Sequence, residues 1–255
     1  MTARGKSRKV GLARALSKLG YCSRSSAFVI IRSGRVQLNG RAVRDPEAPV
    51  RIEMDRVAVD GKLLASERKV YLMLNKPRGV VTTASDEKSR TTVYSLLPAG
   101  LPWIAPVGRL DMASEGLLLL TNDSEWGARI TDPETHLEKT YHVQIGKVAA
   151  EKVVQSLMGG ITTNEGERLR VKRAGFLRQG EKNCWIEIVL DEGKNRQIRR
   201  MLEALGLEVL RLVRVAIGPL QLGELGKGQT RELTIQEKER IDEKIAKNAA
   251  VGAQP

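Results

Sequence analysis

The residue with the clearest chemical potential is Asp111, the last residue of the Gly-Arg-Leu-Asp segment 108–111, which is followed by an apolar run. A glycine lets the backbone pass close to a ligand, and the planar guanidinium of Arg109 can meet a base or a phosphate. A carboxylate presented there can act as a nucleophile or as a general base. Loop carboxylates beside glycine are more often solvated turn residues, so the segment alone leaves a catalytic and a structural role open.

The charge of the chain indicates the kind of partner that such a site would serve. The 43 Lys and Arg residues outnumber the 30 Asp and Glu residues and give a formal net charge of +13. This excess predicts a protein that works on a polyanion, with nucleic acid as the first candidate. Basic residues are dense near the N-terminus and again between Lys194 and Arg214.

The cysteines, histidines and apolar runs of the chain argue against a metal site, a disulfide framework and a membrane span. Cys22 and Cys184 stand far apart, and neither His136 nor His142 has Cys or paired carboxylates at metal-ligand spacing. We therefore expect no metal site and no disulfide framework, and we expect a reducing, cytoplasmic location. No run approaches the roughly 18 apolar residues of a spanning helix, so we expect no membrane partner.

The first 60 residues predict a small unit with two helices and a hairpin. Leucines recur at helical spacing over 12–19, Ser23 can cap a second helix that ends at Gly34, and Asn39-Gly40 is a strong hairpin signal. Exposed positions of this unit carry many cations, which suit either RNA binding or an ordinary solvated surface: Arg14, Lys18, Arg24, Arg32, Arg35 and Arg41.

The rest of the chain predicts strands near 70–74, 141–145, 184–190 and 209–215, and one helix over 196–205. Tyr141 lies in an alternating strand pattern, where a tyrosine is most often part of the core. Arg199 lies on the edge of the helix, where a surface pair with Glu203 would be the ordinary interpretation. Local pattern alone therefore favours structural roles for both residues.

Two stretches resemble known families. Residues 12–43 resemble the alpha-L RNA-binding motif first known from a small-subunit ribosomal protein. Residues 69–235 resemble the catalytic domain of the RsuA/RluB branch of pseudouridine synthases, which act on ribosomal RNA. Four motifs carry this second resemblance in order: Leu74 to Gly79, Gly108 to Asp111, Glu138 to Val143, and Glu192 to Met201.

The resemblance implies an α+β fold with a mixed, largely antiparallel sheet in the catalytic domain. We expect an alpha-L RNA-binding domain over 10–60, a catalytic domain over 69–236, and a charged helix with a flexible tail over 237–255. It also implies the isomerisation of a uridine in ribosomal RNA to pseudouridine, without a cofactor. The sequence does not choose among nucleophilic attack on the sugar, attack on the uracil, and a base-initiated elimination.

The resemblance also assigns roles to individual residues. Asp111 matches the catalytic carboxylate, Arg199 its basic partner and counter-charge, and Tyr141 the residue that stacks on the target uracil. Arg109 would fill the gap left by the extruded nucleotide or hold its phosphate, and Lys76 would support the Asp111 loop as a charge at its rim. Further RNA contacts are expected from four arginines: Arg196, Arg14, Arg24 and Arg35.

The substrate is less well specified than the reaction. Residues 126–141 look slightly more like the branch that modifies small-subunit RNA, whereas residues 193–219 read more like the large-subunit branches, which we favour. A non-catalytic RNA-binding or ribosome-assembly factor would keep the basic surfaces but would not need Asp111, Tyr141 and Arg199 together. We expect a monomer, because no coiled-coil heptads are present.

Overall fold

The computed structural model describes residues 9–65, 67–84, 86, 88–146 and 150–252. Their contacts divide the chain into two compact units. The first contains the residues up to Val70 together with 98–105 and 121–124, and the second contains 71–97, 106–120 and the chain from Glu125 onward.

The first unit has the two helices and the hairpin that the sequence predicts. Its elements are β1 (Val10–Gly11), α1 (Leu12–Lys18), α2 (Arg24–Arg32), β2 (Val36–Leu38), β3 (Arg41–Val43), β4 (Pro49–Val50), β5 (Val57–Val59) and β6 (Lys62–Leu63). Ser23 caps α2 as predicted, since its Oγ accepts the backbone N–H of Ser26 at 3.0 Å. The strands β3-β2-β5-β6 form an antiparallel sheet, and the leucines of α1 are buried with Ile31 and Val36.

The second unit is built on one large sheet. Its elements begin with β7 (Tyr71–Lys76), a 3₁₀ helix (Val93–Leu96), β8 (Ala105–Val107), β9 (Glu115–Thr121), α3 (Ser124–Thr131), a 3₁₀ helix (Pro133–Thr135), β10 (Lys139–Gly146) and α4 (Ala150–Gly159). They continue with β11 (Ile161–Thr162), β12 (Arg168–Leu169), β13 (Arg173–Gln179), β14 (Asn183–Leu190), α5 (Gln197–Ala204), β15 (Val209–Ile217), β16 (Leu220–Gln221), β17 (Thr230–Glu232) and α6 (Ile235–Gly252).

The sheet order is β13-β14-β10-β15-β9-β7-β17, with β8 beside β9 and β16 beside β15. Strand β9 runs parallel to β15, whereas β10 is antiparallel to both β14 and β15. The sheet is therefore mixed and largely antiparallel, as expected. All seven residues of β9 are buried, because this apolar strand lies between other strands with both faces covered.

Gly116 allows strand β9 to pair closely with strand β15. Gly116 has φ +103°, and a Cβ at this position would lie 2.2 Å from the carbonyl oxygen of Arg214. Only a residue without a side chain allows this approach of the two backbones. The contact fixes the start of β9 and, with it, the end of the loop that carries Asp111.

Helix α5 packs against the sheet through Ile198, Met201 and Leu202, which are buried with residues of β10 and β14. The predicted strands and this helix are present with shifts of a few residues at their ends. The C-terminal helix begins at Ile235, and the last three residues of the expected flexible tail lie outside the described residues. Within the described part of the chain, no helix combines the length and apolarity needed to cross a membrane.

Candidate active site

The loop between β8 and β9 holds Asp111 by a set of backbone contacts. The hydroxyl of Thr82 donates to the carbonyl of Leu110 at 2.8 Å, and the N–H of Gly79 donates to the carbonyl of Met112 at 2.7 Å. The N–H of Ser114 closes a turn on the carbonyl of Asp111 itself at 3.0 Å. The carboxylate, 35% exposed, is thus carried on a fixed backbone and still open to a ligand.

Lys76 lies beneath this loop, not at its rim. Its side chain is 0% exposed, and its ammonium donates to the carbonyls of Ser114 at 2.9 Å and Pro77 at 3.0 Å. Burial lowers the pKa of Lys76 to about 8, while Asp111 and Glu115 oppose that shift. The expectation of an RNA-binding Lys76 at the rim is therefore wrong, because no part of the side chain is accessible. Its ammonium instead bonds the carbonyls beneath the Asp111 loop.

Arg199 also forms hydrogen bonds with the loop that carries Asp111. Its Nη2 donates to the carbonyl of Ala113 at 3.0 Å and lies 3.5 Å from the hydroxyl of Ser114. Burial lowers the pKa of Arg199, the neighbouring Arg196 adds to this effect, and Asp111 counteracts it. The side chain thus bonds the backbone of the loop, and the surface pair with Glu203 is not formed.

The cation nearest to Asp111 in the described part of the chain is Arg196, not the expected Arg199. Its Nη1 lies 3.5 Å from the Asp111 carboxylate, and 51% of its side chain is exposed. Arg196 has φ +48° and ψ +29°, a left-handed conformation that is uncommon for a residue with a side chain. This backbone turn, just before α5, directs the residue toward the loop and makes it the direct counter-charge.

Salt bridges hold the segment that carries Arg196. Arg200 reaches both Glu165 at 2.5 Å and Glu167 at 2.7 Å, and Lys194 reaches Glu167 at 3.2 Å. The hairpin of β11 and β12, between which these glutamates lie, is thereby tied to the start of α5. These salt bridges fix the residues on both sides of Arg196 and thereby stabilise its unusual backbone conformation.

One cavity of about 380 Å³ joins the predicted residues. Asp111, Tyr141, Arg199, Arg109 and Arg196 all line it. Tyr141 projects from β10, partly buried against the core on the α5 side, and Arg109 is an exposed residue of the loop. A volume of this size falls within the range of small-ligand sites and suits one flipped nucleotide better than a duplex.

Three further cations line the cavity without a role predicted from the sequence: Lys139, Lys194 and Arg214. Burial lowers the pKa of Lys139 to about 8, and the charge of Arg214 adds to that effect. Period-two alternation along β10 places Lys139 on the face of Tyr141, so the strand pattern offered a signal for it. Arg214 is the cross-strand partner of Tyr141, but a register shift in the β10–β15 pairing hides this from the sequence.

The first unit brings two of its predicted cations together. Arg14 and Arg24 line one groove with Lys9 and Phe28. Arg35 is engaged differently, since its guanidinium makes a two-pronged salt bridge with Asp60 whose closest distance is 2.6 Å. Arg14 and Arg24 are therefore the better placed to meet phosphates.

The described residues contain no cluster of three or more His, Cys, Asp or Glu side chains arranged to hold a metal ion. His142 instead lies 3.5 Å from Glu187 on the neighbouring strand, and His136 lies 4.0 Å from Asp191. These contacts agree with the interpretation of both histidines as ordinary polar residues.

Comparison with known proteins matches both units. The model of the RNA pseudouridylate synthase family matches residues 70–204, and the model of the S4 domain matches residues 10–57. The first match contains Lys76, Asp111, Tyr141 and Arg199, and the second contains Arg14, Arg24 and Arg35.

Individual relatives extend over almost the whole chain. The ribosomal large subunit pseudouridine synthase B of Bacillus subtilis is 35% identical over 231 residues, which cover 90% of this chain and 94% of that protein. An uncharacterized RNA pseudouridine synthase of Aquifex aeolicus is 37% identical over 230 residues, 88% of this chain and 90% of that protein. A crystal structure of a pseudouridylate synthase, 33% identical, has a TM-score of 0.64 and covers 91% of this chain and 99% of that chain. The chain therefore belongs to the RNA pseudouridylate synthase family, with an S4 domain ahead of its catalytic domain.

Proposed function

We propose that this protein converts a specific uridine of large-subunit ribosomal RNA to pseudouridine, with Asp111 as the catalytic carboxylate. The choice of subunit is supported by the name of the Bacillus subtilis relative and by its coverage of nearly the whole chain. Modification of small-subunit RNA is the alternative that a direct mapping experiment would detect.

The observation that carries the proposal is that Asp111, Tyr141 and Arg199 line one cavity, although they come from a loop, a strand and a helix far apart in the sequence. An RNA-binding factor without activity would need the basic surfaces but no such convergence. A glycoside hydrolase would place a second carboxylate across the bond that breaks. The cavity wall also holds Asp191 and Glu192, but both are engaged elsewhere: Asp191 lies 3.5 Å from Lys172, and Glu192 lies 3.6 Å from Lys194 and accepts from Gln197.

The reaction breaks the bond between N1 of uracil and C1′ of ribose and forms a bond between C5 and C1′. The proton on C5 leaves, and N1 acquires one, so atoms and electrons balance without a redox partner. Asp111 starts this sequence as a nucleophile or as a base, with the Arg196 guanidinium 3.5 Å from its carboxylate and Arg199 bonded to the backbone of its loop. Tyr141 stacks on the uracil, and its hydroxyl can take part in the proton transfer.

RNA capture is assigned to exposed cations on both units. Arg14 and Arg24 of the first unit meet phosphates of structured RNA, and Arg109 contacts the strand from which the nucleotide is extruded. We divide the protein into an RNA-binding domain over 10–60, a catalytic domain over 69–236 and a C-terminal helix with its tail over 237–255. We further propose a cytoplasmic monomer that needs neither metal nor cofactor.

The test combines the Asp111→Asn variant with a map of pseudouridine positions in ribosomal RNA. Asp111→Asn removes the charge at nearly constant volume, so tritium release from RNA labelled at C5 of uridine should stop while RNA affinity stays within about twofold. Pseudouridine mapped in both ribosomal RNAs, from cells that lack this gene and from cells that carry it, should differ at one large-subunit position. Turnover by purified Asp111→Asn would refute the role of the carboxylate, and a missing small-subunit position would refute the choice of substrate.

A further inference from the structure

A second surface lies on the opposite face of the large sheet from Tyr141. Side chains alternate between faces along a strand, so Gln144 of β10 points away from the face of Tyr141. Its direct neighbours across the sheet are Trp185 of β14 and Arg211 of β15, and Arg178 of β13 pairs with Trp185. These four residues form a continuous line over four strands, which we call the Trp185 row.

The row is organised as a stack. The guanidinium carbon of Arg178 lies 5.2 Å from the centre of the Trp185 ring, and that of Arg211 lies 5.5 Å from it. Leu177, Val213 and Val215 line the same shallow pocket. The surface therefore offers planar groups and apolar contact side by side, and it lies on the open side of strands whose other face packs against the core.

The charges of this surface are only partly neutralised. Arg211 donates to the buried carboxylate of Glu115 at 3.0 Å, and its side chain is still 38% exposed. Within the described residues, Arg178 has no carboxylate within 4.0 Å and is exposed on an edge strand. A ligand for this face would therefore carry negative charge and flat groups together.

We propose that the Trp185 row binds a single-stranded segment of RNA, distinct from the nucleotide in the Asp111 cavity. Unpaired bases stack on aromatic rings and on arginine guanidinium planes, and the same arginines meet the phosphates. A duplex presents no free base faces, so a single strand fits the row better. An acidic protein segment would satisfy the charges but would leave the stacked arrangement without a partner. The proposal rests on RNA being the substrate of this protein, and it adds a contact that holds sequence flanking the target.

Binding of oligoadenylate to the full chain tests the proposal. This probe contains no uridine, so its binding is independent of catalysis. Stacking should quench the fluorescence of Trp185, and the quench should disappear in Trp185→Phe, which keeps an aromatic ring and most of the affinity. A duplex RNA of the same length should bind without this quench.

Matched arginine variants measure the contribution of the row to affinity. We expect Trp185→Leu to weaken binding of labelled oligoadenylate about fivefold or more, the range found for a lost stacking platform. Arg178→Ala should weaken it and reduce the slope of log affinity against log salt by about 0.7. Arg240→Ala removes the same charge from an exposed position on α6 and serves as the control.

Two results would overturn the proposal: an unquenched Trp185 at saturating oligoadenylate, or equal effects of Arg178→Ala and Arg240→Ala. Either result would be expected if this face bound a protein partner instead of RNA. Neither result bears on turnover at Asp111, which is measured by tritium release. Conversely, an inactive wild-type protein that still shows the quench would refute the proposed function and retain this surface.

Discussion

Replacing Arg196 or Arg199 with methionine separates the counter-charge of Asp111 from the support of its loop. At 3.5 Å and an effective dielectric constant of about 20, the Arg196–Asp111 attraction would reach about 5 kcal/mol. The two side chains are 51% and 35% exposed, so water screens the pair to the range of surface salt bridges, about 0.2 to 1 kcal/mol. Arg196→Met should therefore slow the reaction at most about fivefold.

Arg199→Met should cost more, because it removes the donor of the Ala113 carbonyl together with a half-buried charge. Hydrogen bonds to charged groups contribute about 1.5 to 3 kcal/mol, which corresponds to a rate loss of about tenfold to about a hundredfold.

The assay is tritium release from RNA labelled at C5 of uridine, under single-turnover conditions and over a range of pH and salt. The loss in Arg196→Met should shrink as salt screens the surface pair, whereas the loss in Arg199→Met should persist. Arg199→Lys keeps the charge and should recover part of the rate, and urea unfolding checks that each variant is folded. A larger loss in Arg196→Met than in Arg199→Met would show that the exposed arginine, not the half-buried one, supports catalysis.

Three further predictions concern charge and backbone. The pKa of Lys76 is about 8 in the folded protein, against 10.5 for an unperturbed lysine, so the unfolded chain binds more protons between these values. As pH rises through this window, the free energy of unfolding of the wild type, measured in urea, should increase by up to about 3 kcal/mol relative to Lys76→Met. Parallel pH dependences of the two proteins would refute the buried ammonium. Gly116→Ala should lower the free energy of unfolding by about 2 to 4 kcal/mol, measured in urea, and should exceed the loss in Gly166→Ala, which has a similar positive φ but open space around it. Arg14→Ala combined with Arg24→Ala should reduce the slope of log RNA affinity against log salt by about 1.4 to 1.8, and an unchanged slope would remove this groove from the RNA interface.

Local sequence signals predict most of the elements that surround the site. The Ser23 cap, the Asn39-Gly40 hairpin and the apolar run of β9 depend on contacts within a few residues, and each is present in the structure. The convergence of Asp111, Tyr141 and Arg199 was available only through resemblance. No periodicity connects a loop, a strand and a helix that are separated by up to 88 positions.

The details that the sequence did not reveal depend on long-range or unusual geometry. Arg196 and Arg199 belong to one motif, and only the left-handed backbone of Arg196 decides which of them reaches the carboxylate. The resemblance implied Lys76 at the rim of the loop, and a lysine is rarely fully buried. The carbonyls of Pro77 and Ser114 that compensate its burial come from the turn beside it and from a distant loop, which local sequence does not reveal. The Trp185 row requires the register of four strands, two of whose pairings contain irregularities.

The burial of Lys76 has a consequence for how the protein accommodates RNA. If the loop of Asp111 lifted away, the ammonium would lose an acceptor while remaining beneath the protein surface, at a cost of several kcal/mol. Amide hydrogens of this loop should therefore exchange with solvent as slowly as those of neighbouring strands, because local opening is suppressed. Adaptation to different RNA shapes is then left to the exposed side chains of Arg109 and Arg196, which can change rotamer within nanoseconds while the carboxylate keeps its position.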